Sequence, residues 1–157
     1  MRLTVYTDYT LRTLMYLAIN PGQHATIAQI ADTYSISEAH LTKVVHQLGV
    51  AGEIETVRGR NGGLRLKRAA EQINIGTVVR RTEADLDLVP CFDSAGACAI
   101  GASCVLQRAL HEALAAFLAV LDRYTLADLV APRRRLAALL GIAPLARSGA
   151  AAVGLAL

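Results

Sequence analysis

The segment from Cys104 to Arg123 constrains the fold of this chain more than any other. Val105, Leu106, Ala109, Leu110, Ala113, Leu114, Phe117, Leu118, Val120 and Leu121 recur through it at helical spacing. They cover far more than the single stripe, about 100° wide, that a surface helix buries. A helix this apolar must be covered on two sides. In a chain of 157 residues few other elements remain to surround it. Packing on its own domain and on the same helix of a second copy satisfies it, so the sequence predicts a homodimer built on a long dimerisation helix. The composition agrees: 54% of residues are hydrophobic, mostly Ala, Leu, Ile and Val with no Trp, which favours helices. Charged residues make up only 18%, below the ~25% of an average domain, as expected of a surface partly covered by a partner.

The N-terminal half has a different rhythm. Leu11, Leu14, Met15, Leu17 and Ala18 predict a helix over 7–19 that Asn20-Pro21-Gly22 ends. Thr26-Ile27-Ala28-Gln29 has the form of a capping box and opens a short second helix, broken by Tyr34-Ser35-Ile36-Ser37. A third helix follows from Ser37, with Leu41, Val44, Val45 and Leu48 on one face and with Gly49 and Gly52 expected to close it. Two short helices joined by a tight turn form a helix-turn-helix. Next, Ile54–Val57 reads as a strand, Arg58–Gly63 as a glycine-rich turn and Leu64–Lys67 as the alternating return strand. A helix-turn-helix followed by such a hairpin is the winged-helix arrangement.

The predicted class is therefore mainly α with a small β-hairpin wing. Residues 1–81 form a winged helix-turn-helix domain that ends in a short helix over 73–81. Residues 82–104 form an irregular loop that holds the cysteines. Residues 105–140 hold the dimerisation helix and a short last helix opened by the capping box Thr125-Leu126-Ala127-Asp128. Residues 141–157 form an aperiodic, small-residue-rich tail expected to be poorly ordered.

Charge points to nucleic acid. The net charge is only +3, but Arg58, Arg60, Arg65, Lys67 and Arg68 cluster in the hairpin against the single acid Glu55. A localised basic segment suits phosphate contact. On the third helix, Ser37, His40 and Lys43 fall on the face left free by the apolar positions and are placed at the major groove of double-stranded DNA. Arg58, Arg60 and Asn61 are placed at the backbone or in the minor groove. Gly59, Gly62 and Gly63 serve the tight turn. The N-terminal MRLTVYTDYT carries no leader-like apolar stretch and no run is long enough to span a membrane, so a cytoplasmic protein is expected. No serine–histidine–acid set, phosphate loop or metal-histidine motif stands out, which argues against an enzyme.

Cys91, Cys98 and Cys104 are the only cysteines, with six and five residues between them. In a reducing compartment such a cluster reads as metal or redox chemistry. Structural zinc sites pair their ligands at shorter spacing. Longer gaps in a loop suit an iron–sulfur cluster. On spacing alone, zinc and a cluster-free thiol switch stay open beside it.

The runs LTVYTDYTLRTLMYLA, VRGRNGGLRL, INIGTVVR and YTLADLV, with the cysteine loop between the last two, resemble the small winged-helix iron–sulfur regulators, and within them the nitric-oxide-sensing repressors. The resemblance spans roughly residues 1–140. It implies a homodimeric repressor released from operator DNA when nitric oxide attacks the cluster. It also implies a [4Fe–4S] cluster on Cys91, Cys98 and Cys104, with [2Fe–2S] as the other form. The position of the family's fourth ligand, an aspartate at the start of the first helix of the other subunit, falls on Asp8. Taken without the resemblance, Asp8 is a helix-start acid favoured by the dipole. Relatives that regulate cluster assembly carry a histidine where this chain has Gln107; His111, one turn further on, is an outside candidate. An iron- or redox-sensing regulator of the same fold is the alternative function.

Overall fold

The computed structural model describes residues 2–60, 62–89 and 103–142. Helix α1 (Val5–Ile19) begins at Thr4, whose hydroxyl accepts from the Thr7 N–H at 3.2 Å. Helix α2 (Ile27–Tyr34) opens on the capping box expected of it: Gln29 N–H donates to the Thr26 hydroxyl and Thr26 N–H donates to the Gln29 side chain. Each bond satisfies a backbone donor that the helix end would leave unpaired. Ser35 then turns the chain in a left-handed conformation, φ 54°. Its N–H points back to the carbonyls of Ala31 and Asp32. Helix α3 (Glu38–Val50) follows from Ser37.

The core forms where these helices cross. Leu41, Val44 and Leu48 recur every three or four residues and are buried together with Leu14, Leu17 and Ala18 of α1 and Ile30 of α2. Burying each such side chain contributes roughly 1.5–3 kcal/mol. The wing consists of β1 (Ile54–Val57) and β2 (Gly63–Leu66), antiparallel, with Ile54 opposite Leu66 and Val57 opposite Gly63. On its other edge β2 bridges to Ala25, through Ala25 N–H to the Leu64 carbonyl at 3.0 Å and Leu64 N–H to the Ala25 carbonyl at 2.7 Å. A Cβ at Gly63, φ +149°, would stand 2.8 Å from the Ala25 carbonyl oxygen, so this close approach needs glycine.

A short 3-10 turn (Ala70–Gln72) leads into α4 (Ile75–Thr82), and α5 (Val105–Asp122), α6 (Leu126–Leu129) and α7 (Arg133–Leu139) complete the described chain. Leu126 and Val130 are fully buried and bring the C-terminal end back to α1. No helix among the described residues is long and apolar enough to cross a membrane.

Some boundaries differ from those expected. Helix α3 runs on through Gly49 to Val50, and of the two glycines only Gly52, φ +70°, turns the chain. Helix α4 starts at Ile75, not Ile73. The Ile73 carbonyl accepts from Leu126 N–H, and Ile75 N–H donates to the Tyr124 carbonyl, so residues 73–74 are extended by pairing with the Tyr124–Leu126 segment. Strand β2 includes Gly63 and ends at Leu66. Two short helices, α6 and α7, stand where one was expected. The tail from 143 onward lies outside the described residues.

Candidate nucleic-acid interface and cluster ligands

Because Leu41, Val44 and Leu48 face the core, α3 turns Ser37, His40 and Lys43 outward, and all three are exposed. Glu38, Thr42 and His46 are exposed beside them. Ser37 caps α3 through its carbonyl, which accepts from the His40 and Leu41 N–H groups, and its hydroxyl makes no capping bond. That hydroxyl remains available for a ligand.

The wing's five cations are not equivalent. Arg65 is paired across the strands with Glu55 at 2.7 Å, and Arg68 donates to the Gln72 carbonyl at 2.9 Å. Arg58 and Arg60 are exposed at the hairpin end and have no acidic partner among the described residues. Asn61, also expected at DNA, lies outside the described residues. Gly62 N–H donates to the Gly59 carbonyl at 2.9 Å, and Gly59 has φ +115°. These contacts build the tight turn that projects the two arginines. The wing root is anchored by Glu53, 2% exposed, which accepts both guanidinium arms of Arg81 from α4 at 2.7 and 2.8 Å. Those bonds hold the Arg81 guanidinium above its ordinary pKa. The pair lies outside every sequence motif, and only the fold brings its members together.

Asp8 sits in the first turn of α1, half-exposed, and accepts from Arg12 Nε at 2.9 Å. The Arg12 guanidinium lies 5.7 Å from the ring centre of Tyr34 in α2. Tyr34 meets Tyr16 edge-on at 6.3 Å. Burial pushes the Tyr34 hydroxyl pKa up, with Arg12 opposing, so the phenol stays neutral. The start of α1 is pinned to the end of α4: Thr4 N–H and hydroxyl both donate to Glu83, at 2.8 and 3.1 Å, and Thr7 donates to Thr82 at 2.8 Å. Glu83 also begins the stretch that leads to the cysteines.

Cys104 is the N-cap of α5, where its sulfur accepts from the Gln107 N–H at 3.4 Å. Cys91 and Cys98 lie outside the described residues. Within one subunit, no group of three or more His, Cys, Asp or Glu side chains among the described residues is placed to hold a metal. The donor types that are described, a half-buried thiol at a helix N-terminus and a half-exposed carboxylate at another, suit iron as soft and hard ligands respectively. Helix α5 buries none of its residues within the subunit, and Val105 and Leu106 are each 65% exposed.

A helix-turn-helix with a basic hairpin and an uncovered apolar helix defines a winged-helix DNA-binding regulator. The family model described as "Rrf2: Iron-dependent Transcriptional regulator" matches residues 3–132, and the chain belongs to that family. It is 56% identical over 132 residues to the HTH-type transcriptional regulator NsrR of Bacillus subtilis, an alignment covering 83% of this chain and 90% of that one. With the regulator of the same name from Shouchella clausii the identity is 53% over 142 residues, covering 89% and 95%. Among solved structures, CymR, the global cysteine regulator of B. subtilis, superposes with TM-score 0.67 at 25% identity, covering 84% of this chain and 98% of that one. T. potens IscR has TM-score 0.70 at 23% identity, covering 87% and 90%, and supports the fold. The chain is a transcriptional regulator, and these relatives are named as regulators and not as enzymes.

Proposed function

We propose that this regulator is a cytoplasmic, homodimeric repressor that binds an inverted-repeat operator and is released from it by nitric oxide acting on an iron–sulfur cluster. The observation that carries the reading is a short chain of contacts: Asp8 is followed directly by Tyr9, whose ring lies against His40 of the exposed α3 face. Relatives 53% and 56% identical to this chain carry the name of one transcriptional regulator, which supports the regulatory role.

In this reading Ser37, His40 and Lys43 meet base edges in the major groove while Arg58, Arg60 and Asn61 meet the backbone or minor groove. The apolar face of α5 is covered by α5 of the second copy, since exposed residues such as Val105 and Leu106 are costly in water. Cys91, Cys98 and Cys104 anchor a [4Fe–4S] cluster, with Asp8 of the partner subunit as fourth ligand. When bound, the cluster supplies iron that nitric oxide attacks directly. The carboxylate is the weak corner of the ligand set, because an oxygen ligand holds iron less firmly than a thiolate. When Asp8 is not a ligand, Arg12 of its own helix takes the carboxylate, and the first turn of α1 keeps its bonds to Thr82 and Glu83. The change reaches α3 through Tyr9.

Gel-shift titrations of anaerobically purified, nitric-oxide-treated and cluster-free protein on one operator test the reading. Tight binding by the first form and weaker binding by the other two is the expected result. Equal affinity in all three would leave a winged-helix DNA binder whose cluster is not its switch.

A further inference from the structure

A cleft of about 610 Å³ lies between β2, the loop joining α1 to α2 and the first turn of α7. No residue of α3 and no residue of the wing turn lines it. Lys67, Arg68 and Arg133 bring three cations to it. Of the two acids that line it, Glu55 is already paired with Arg65, which leaves Glu71. Two positive charges are therefore in excess. Lys67 and Arg133 have no acidic partner among the described residues. One cation is also positioned in advance: the Arg68 guanidinium is tethered by its bond to the Gln72 carbonyl at 2.9 Å, with its other N–H groups left over. The main chain beside it is fixed by the Lys67 backbone N–H on the Glu53 carbonyl at 2.9 Å. Like charges gathered in one concavity raise the local potential and draw an anion. Arginine forks with a lysine suit the several oxygens of a phosphate, and a dianion matches the excess charge.

We infer that this cleft binds a phosphate group and, by bridging Lys67 of the wing to Arg133 of α7, fixes the wing against the C-terminal helices. A backbone phosphate of DNA flanking the operator and a small phosphorylated molecule offer the same chemistry, and the test separates them. The first arm needs no DNA, so failure of the operator reading leaves it standing. The full chain, free of cluster, is titrated with inorganic phosphate and with phenyl phosphate at constant ionic strength, following the thermal midpoint. The variants are Lys67→Ala, Arg133→Ala and Arg134→Ala, the last removing the same charge from the same helix outside the cleft. Both ligands should raise the midpoint. Lys67→Ala and Arg133→Ala should each weaken the apparent affinity about tenfold, the loss of one charge-assisted contact, while Arg134→Ala should not. The second arm compares a minimal operator with one extended by roughly ten base pairs on each side. A loss of affinity in Arg133→Ala on the longer duplex alone assigns the site to DNA. Phosphate binding with unchanged DNA affinity assigns it to a small molecule. No midpoint shift together with no loss on either duplex, or equal losses in Arg134→Ala, overturns the site.

Discussion

The ring of Tyr9 in α1 lies 6.2 Å, centroid to centroid, from the imidazole of His40 in α3, with their planes tilted by 39°. One residue thus touches both the helix start that carries Asp8 and the helix face proposed to meet DNA. Tyr9→Ala should cost more than the roughly 0.5–1.5 kcal/mol of the ring pair itself, because the half-buried ring also packs against the core. Its larger effect should be on switching: the ratio of operator affinities between cluster-bound and cluster-free protein should fall towards one. Tyr9→Phe keeps the ring and should keep the ratio. Gel-shift titration of both forms of each variant checks this, and an undiminished ratio in Tyr9→Ala would remove Tyr9 from the route.

Arg58 and Arg60 carry the unpaired charge at the tip of the wing, whereas Arg65 is occupied by Glu55. Replacing Arg58 or Arg60 by Ala should weaken binding to every sequence and flatten the log–log salt dependence by about one unit each. Arg65→Ala should change the slope far less. His40→Ala and Lys43→Ala should instead alter which operator bases are preferred, since a base contact discriminates by about 1–3 kcal/mol. Affinities measured on operator and scrambled duplexes at several salt concentrations separate the two kinds of residue. An Arg65→Ala slope change as large as that of Arg58→Ala would contradict the assignment.

The junction between the DNA-binding domain and α5 depends on one glycine. A Cβ at Gly76 would collide with the Asp122 carboxylate, which accepts both arms of Arg80 at 2.6 and 2.7 Å. Asn74 adds a bond from its side-chain amide to the Asp122 carbonyl at 2.7 Å. Gly76→Ala should therefore destabilise the protein by about 1–3 kcal/mol, the range for forcing atoms into an occupied space. In the background of Asp122→Ala the nearest obstacle is gone and the Arg80 guanidinium, the other close group, loses the carboxylate that holds it there, so Gly76→Ala should cost less than it does alone. Urea denaturation of the four proteins in this cycle gives the coupling. Additive losses would mean that the methyl collides with something other than the Asp122–Arg80 pair.

Much of this was legible from residue pattern. The capping boxes at Thr26 and Thr125 placed two helix starts correctly because their signals lie within four residues. The alternation of Leu64, Arg65 and Leu66 after a glycine-rich turn placed the return strand of the wing. The exposed α3 face followed from the spacing of Leu41, Val44 and Leu48. What could not be read was long-range pairing. Ile73 looks helical by propensity, yet its carbonyl is taken by Leu126, far along the chain. The Glu53–Arg81 anchor and the Thr4–Glu83 clasp join positions that no short motif links. Which of the five cations Glu55 neutralises could not be read either, because it is the register that sets Glu55 opposite Arg65. The roles expected of Cys91, Cys98 and Asn61 fall outside the described residues.

Acid should loosen the C-terminal elements, and the sign of the effect follows from two carboxylates. Hydrogen bonds from Arg80 hold Asp122 below the ordinary carboxylate value of 3.8. The backbone N–H and the hydroxyl of Thr125 do the same for Asp128. For both groups the folded pKa is the lower one, so as pH falls the unfolded chain takes up its protons first. Their stabilisation is fully present above about pH 5, does not change through neutrality, and is lost as pH drops through 3.8 towards the folded values. Urea midpoints of cluster-free protein at several pH values, for the unaltered chain and for Asp122→Asn and Asp128→Asn, measure it. Each Asn keeps the shape of the side chain but not its charge. The advantage of the unaltered chain over each variant should stay constant from neutrality down to about pH 5 and shrink below pH 4. An advantage undiminished at about pH 3 would mean that something other than the charge of these side chains supports the junction and the α6 cap.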